Sequence, residues 1–107
     1  MRLQVKGRNM ELTPSIRAYA ETKLSRLEKQ LGEDTAVEVE LAEETKHSRH
    51  TAEGIVFTKG PTLRARESTS DLRSSIDQLV ENLERQIVRY REKRRHEPRR
   101  RTMHHGV

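Results

Sequence analysis

From Ser70 to Arg95 the apolar residues Leu72, Ile76, Leu79, Val80, Leu83, Ile87 and Tyr90 recur at three- and four-residue steps. At about 100° per residue they fall within an arc of roughly 100°, the stripe of an amphipathic helix. Ser70 is placed to cap that helix, and Asp71 sets a carboxylate at the positive end of its dipole. A second stripe, Ile16, Tyr19, Ala20, Leu24, Leu27 and Leu31, follows Thr13-Pro14, a hydroxyl cap and then a ring whose missing N–H costs nothing at the first helical position. It predicts a helix over 14–31 with Gly32 as its stop. The remaining apolar residues alternate. Leu3 and Val5 among Arg2, Gln4 and Lys6 predict a short strand closed by Gly7. Val37, Val39 and Leu41 against Glu38 and Glu40 predict a strand with one buried and one acidic face. Thr45 to His50 reads as a loop. Ala52 to Thr58 is a weaker strand whose facing stays open, because Gly54 and Val56 compete with Ile55 and Phe57. Lys59-Gly60-Pro61 is a turn, and Leu63 and Ala65 between Arg64 and Arg66 form a last strand.

The order is βαβββα. Three consecutive strands favour antiparallel pairing, and both helices must bury their stripes on one sheet face. The expected fold is an α+β two-layer sandwich, a four-stranded sheet with two helices on one side. After Lys93 the character changes to Pro98, an arginine run and His104-His105. Residues 1–94 are therefore read as one domain and 95–107 as a basic, disordered tail.

Composition narrows the classes. At 107 residues with 31% hydrophobic and 36% charged content, one domain with a small core and a densely ionic surface is expected. The absence of cysteine removes disulfides, thiolate metal sites and thiol catalysis. No apolar run resembles a signal peptide or a membrane span, so a soluble, cytoplasmic protein is expected. The net charge of +5 lies in 93–107, where six cations face Glu97 alone; residues 1–92 are balanced. Affinity of the body for an anionic partner must therefore come from charge separation.

The helical wheels show such separation. On the second helix Arg85, Arg89 and Lys93, four residues apart, form a stripe that takes in Asn82 and Gln86, while Asp77, Glu81 and Glu84 fall on the other flank. On the first, Lys23, Arg26 and Lys29 share a flank with Glu21 and Glu28 opposite. Salt-bridged surface faces would interleave the signs. Lys23, Arg26, Lys29, Arg85, Arg89 and Lys93 are thus the candidate phosphate-binding residues. Whether the two stripes converge on one groove depends on helix packing. Single-strand readers need exposed aromatics; Tyr19, Phe57 and Tyr90 are the only aromatics, two of them on apolar stripes. Binding to the shape and phosphates of folded RNA is the expected mode.

Other chemistry has little to stand on. His47 and His50 make a loop His-x-x-His without further fixed ligands, and Glu43 and Glu44 are strand neighbours that point to opposite faces. No nucleophile elbow, phosphate-binding glycine loop or zinc spacing is present. A non-enzymatic protein with no metal and no cofactor is expected. The rival readings are a generic structured-RNA binder and a protein-interaction module using Ile55 and Phe57 on an uncovered sheet face.

Gly7-Arg8-Asn9, Leu12-Thr13-Pro14-Ser15-Ile16-Arg17, Lys23-Leu24 with Leu27-Glu28-Lys29, Leu63-Arg64-Ala65, Asp71-Leu72, Ser74-Ser75-Ile76-Asp77 and Leu83-Glu84-Arg85-Gln86 together resemble the ribosome hibernation promoting factors, also called ribosome-associated translation inhibitors. The resemblance spans residues 3–94. It implies a fold similar to double-stranded-RNA-binding domains and a partner, the small ribosomal subunit with its 16S rRNA. The place implied is the decoding region, in the mRNA and tRNA channel, where such factors block translation and preserve idle ribosomes in stress or stationary phase. The six stripe cations match positions that contact rRNA in the family. Asn82 stands where relatives often carry lysine, and Arg73 replaces a usual aromatic. Long members add a C-terminal domain that pairs ribosomes, so this chain is expected to be a short form or the N-terminal piece of a long one.

Overall fold

The computed structural model describes the backbone of residues 1–105 and the side chains of residues 1–93. The elements run β1 (Arg2–Arg8), α1 (Pro14–Leu24), a 3-10 turn (Ser25–Lys29), β2 (Ala36–Glu44), a single 3-10 turn (Thr45–His47), β3 (Arg49–Phe57), β4 (Thr62–Thr69) and α2 (Leu72–His105). The sheet order is β1-β2-β3-β4. β1 pairs parallel to β2, and β2, β3 and β4 pair antiparallel. The parallel pair follows from α1, which carries the chain back to the starting end of the sheet. The βαβββα order and the two-layer α+β architecture are as the hydrophobic pattern predicts.

Both helices bury their stripes against one sheet face. Leu24, Leu27, Val37, Leu41, Val56, Ile76, Leu79, Leu83 and Ile87 are fully buried there. The facing of β3, open from sequence, is settled by its register. Gly54 lies opposite Val39 and Ala65 on the covered face, and Ile55 and Phe57 point to the uncovered one. A Cβ on Gly54 would lie 3.0 Å from Leu83 Cδ1 and 3.3 Å from both Leu79 methyls. The missing side chain is what lets α2 lie close over the sheet centre.

Several sequence expectations need correction. The first helix does not run to Leu31; after Leu24 it tightens into the 3-10 turn ending at Lys29. Three residues per turn superimpose Leu24 and Leu27, so both reach the core while Leu31 is only half-buried. Gly32 is no left-handed stop, since no glycine among the described residues has positive φ. Its carbonyl instead accepts the Thr35 hydroxyl at 2.6 Å. β3 begins at Arg49, inside the stretch read as loop, because Ser48 at φ 48 reverses the chain at once. The cap of α2 is Asp71, one residue later than Ser70. Its carboxylate accepts from the Ser74 N–H and the Ser74 hydroxyl, both at 3.0 Å. The backbone of α2 also continues past 94, through Pro98 to His105. Side chains of 95–107, where the basic tail was expected, lie outside the described residues.

Ser75, fully buried, locks the start of α2 to the sheet. Its hydroxyl donates to the His50 carbonyl at 2.6 Å and accepts from the Thr69 N–H at 3.1 Å.

The Asp71 cap makes a testable pH dependence. The Ser74 backbone N–H, then its hydroxyl, hold the Asp71 carboxyl below the usual carboxylate range. A depressed native value means the cap's contribution is present above the ordinary carboxylate pKa and lost as pH falls through the native one. Asp71→Ala should therefore melt lower than wild type at neutral pH, and the gap between their Tm values should close on acidification. A gap of constant size from pH 7 to strongly acidic conditions would contradict the charged cap.

Candidate nucleic-acid interface

The six candidate cations differ in their partners. On α2, Asp77 and Glu84 face α1, and the two helices meet in a polar seam. Lys23 Nζ lies 3.7 Å from Asp77 and the Arg26 guanidinium 3.0 Å from Glu84. The Tyr19 hydroxyl donates to Asp77 at 2.7 Å, Arg73 donates to the Ser15 hydroxyl at 2.9 Å, and Arg91 donates to the Gln30 side chain. Lys23 and Arg73 stand 5.5 and 5.3 Å from the Tyr19 ring centroid, within cation–π range. The hydrogen bond to Asp77, ahead of burial, raises the Tyr19 pKa above its ordinary value. Tyr19 is half-buried: its ring packs against the core, as its stripe position implies, and its hydroxyl reaches into the charged seam.

Arg85, Arg89 and Lys93 occupy the other flank of α2. All three are exposed, and none makes an ion pair within 4 Å among the described residues. Glu81 and Glu92 share the outer face with Arg85 and Arg89 without closing on them. Toward β4 the same flank is anchored by amides: Asn82 donates to Glu67 at 2.8 Å, and Gln86 to the Arg64 carbonyl at 2.7 Å. Asn82 and Gln86, inside the predicted basic stripe, thus hold α2 to the sheet edge. Lys29 is exposed on the 3-10 turn, also without an ion pair among the described residues.

The uncovered sheet face carries its own pattern. Across it Lys6, Glu40, Glu53 and Arg66 stand in one row, with acidic residues on the central strands and cations at both edges. Arg8 lies 3.4 Å from Glu40. This face is acidic where sequence placed Glu38 and Glu40, but Arg64 and Arg66 on β4 add cations that the wheels did not consider. Their signal was the alternation of the last strand itself. Among the described residues no group of three His, Asp or Glu side chains could hold a metal ion, and no helix is long and apolar enough to cross a membrane.

Comparison with known proteins is decisive on lineage. The family described as Sigma 54 modulation protein / S30EA ribosomal protein matches residues 3–95. The chain belongs to this family. A ribosome hibernation promotion factor from Lactococcus lactis is 37% identical over 101 residues, covering 92% of this chain and 54% of that protein. The ribosome hibernation promoting factor of Escherichia coli is 28% identical over 93 residues, 87% of this chain and 96% of the other. The chain thus spans about half the length of the Lactococcus relative and nearly all of the Escherichia one. The N-terminal domain of Thermus thermophilus Protein Y superposes with a TM-score of 0.75 at 35% identity, over 84% of this chain and 99% of that one. A ribosomal subunit interface protein from Coxiella burnetii shares the fold, with a TM-score of 0.76 at 22% identity over 87% and 100% of the two chains.

In this S30EA family member the cations therefore divide by their partners. Lys23 and Arg26 are ion-paired to carboxylates, whereas Arg85, Arg89 and Lys93 make no ion pair within 4 Å among the described residues, although Glu81 and Glu92 share a face with the two arginines. Exposed ion pairs contribute about 0–1 kcal/mol, so Lys23 and Arg26 can exchange partners at small cost, but the Asp77 and Glu84 charges stay beside them.

Proposed function

We propose that the protein is a ribosome hibernation factor. It binds the small ribosomal subunit through 16S rRNA phosphates in the decoding region, occupies the mRNA and tRNA channel, and blocks translation in stress or stationary phase. Residues 1–94 are the binding unit, and the basic residues of 95–107 an added RNA contact. The observation that carries this reading is the outer flank of α2. Arg85, Arg89 and Lys93 are three exposed cations without ion pairs among the described residues, in a chain of the S30EA family whose relatives carry that name. Lys29 supplements them from α1's side, and Lys23 and Arg26 contribute by leaving their seam partners. Proton transfer and covalent catalysis play no part in this reading; the protein acts by occupancy.

The test is cosedimentation with purified small subunits across a salt series. Phosphate binding predicts strong retention at low salt and a linear loss of log affinity with log salt. An unrelated RNA duplex should bind more weakly than the subunit; equal affinity would favour a generic structured-RNA binder. A protein-interaction reading is favoured by the uncovered sheet face, where Phe57 is 38% exposed beside Ile55. It predicts retention that salt leaves unchanged.

A further inference from the structure

Beside the exposed cations of α2 lies a depression of about 230 Å³ lined by Pro61, Leu63, Gln86, Arg89, Tyr90 and Lys93. We propose that it receives one unpaired nucleotide of the bound RNA, with the base on its floor and the adjoining phosphates at Arg89 and Lys93. The inference rests on the phosphate-binding reading of that flank and adds to it a contact with a base.

Three features fit a nucleotide. The floor is apolar and partly aromatic: Pro61 from the β3–β4 turn, Leu63 from β4 and the half-buried Tyr90 from α2. The rim carries two exposed cations one helical turn apart, a spacing that suits successive backbone phosphates. Gln86 spends both amide hydrogens within the fold, on the Arg64 carbonyl at 2.7 Å and on Asn82 Oδ1 at 2.8 Å. Its Oε1 is the group left to accept from a ligand, and every nucleobase presents an N–H at its pairing edge. A phosphate alone would have no use for the apolar floor, and an apolar peptide none for the cations. The volume is below the roughly 300 Å³ at which small-molecule pockets begin, which suits a single ring system.

A base inside a duplex keeps its faces stacked and its pairing edge occupied, so the nucleotide must come from a bulge or loop. This changes the expected mode of recognition. Phosphate contacts still hold the RNA, but one unpaired position sets where along it the protein stops. With Gln86 offering one acceptor, the site senses the presence of a base more than its identity.

The experiment uses the full chain and three RNA hairpins: one with a single unpaired nucleotide in its stem, the same hairpin abasic at that position, and a fully paired version. Affinities are read by fluorescence anisotropy at one salt concentration. Wild type should bind the first about tenfold more tightly than the other two, the scale of one base–aromatic contact. Tyr90→Leu, which keeps an apolar side chain but removes the ring and its hydroxyl, should bring the three within about twofold of one another by weakening the first. Arg89→Gln should weaken all three alike. Equal wild-type affinity for the three hairpins, with binding still salt-sensitive, overturns the nucleotide site and leaves the phosphate reading standing. Binding that is absent or insensitive to salt for all three overturns both.

Discussion

Arg85→Glu combined with Arg89→Glu should abolish retention on small ribosomal subunits while the thermal transition stays where it is. Both side chains are exposed and neither is held by an ion pair among the described residues, so replacing them removes no packing and no cap. Surface changes of this kind shift stability by about 0.5 kcal/mol or less. Their effect on an RNA partner is far larger. Under the proposed role each reversal would lose a phosphate contact and set a carboxylate against the phosphate that remains, next to Glu81 and Glu92 on the same face. Circular dichroism melting reports the fold and cosedimentation reports binding. Wild-type retention by a folded double variant would remove the outer flank of α2 from the interface.

The largest effect on stability should come from the contact between Gly54 and Leu83. Leu83→Ala empties a fully buried site and is expected to cost about 2–5 kcal/mol. Gly54→Val pushes a branched side chain toward methyls that already stand 3.0–3.3 Å from where a Cβ would begin, and overpacking of this kind costs about 1–3 kcal/mol. The defects are complementary, since one opens space where the other needs it. The double variant should be less destabilised than the sum of the two, by an interaction energy of about 0.5–3 kcal/mol. Urea denaturation of the four proteins measures this. Strict additivity would mean that α2 does not rest on β3 at this glycine.

The hydrophobic pattern made most of the fold legible. Every apolar residue of the α2 stripe from Leu72 to Ile87 is buried, and the alternation of Val37, Val39 and Leu41 faces the core as expected. Alternation was uninformative at Ala52–Phe57, where a glycine occupies an inward position. A residue without a side chain gives no polarity signal, and only the approach of Leu79 and Leu83 explains it. The 3-10 turn was hidden because Leu24, Leu27 and Leu31 satisfy an α-helical stripe as well as a tighter one. Charge segregation was readable only in part: Asp77 and Glu84 pair across the seam as their flank implies, but Glu81, read onto the same flank, shares the outer face with Arg85 and Arg89, and Glu84 also borders the depression those arginines line. A wheel describes one helix at a time. That the acidic flank of α2 would face Lys23 and Arg26 depends on which way the two helices pack, and the same fact separates the six cations into a paired set and an unpaired one. Tyr19 shows the same limit, since its stripe position is apolar while its neighbours across the seam are Asp77 and Arg73.

The central claim is that the unpaired cations on the outer flank of α2 carry more of the RNA contact than the paired ones in the seam. The salt dependence of small-subunit binding tests it most directly, compared among wild type, Arg85→Gln with Arg89→Gln, and Lys23→Gln with Arg26→Gln. Neutral glutamines avoid setting new carboxylates against Asp77 and Glu84. The slope of log affinity against log salt should fall by about 2 for the α2 pair, one unit per lost phosphate contact, and by less than half of that for the seam pair. An unchanged slope for the α2 pair, or a larger drop for the seam pair, would contradict the account.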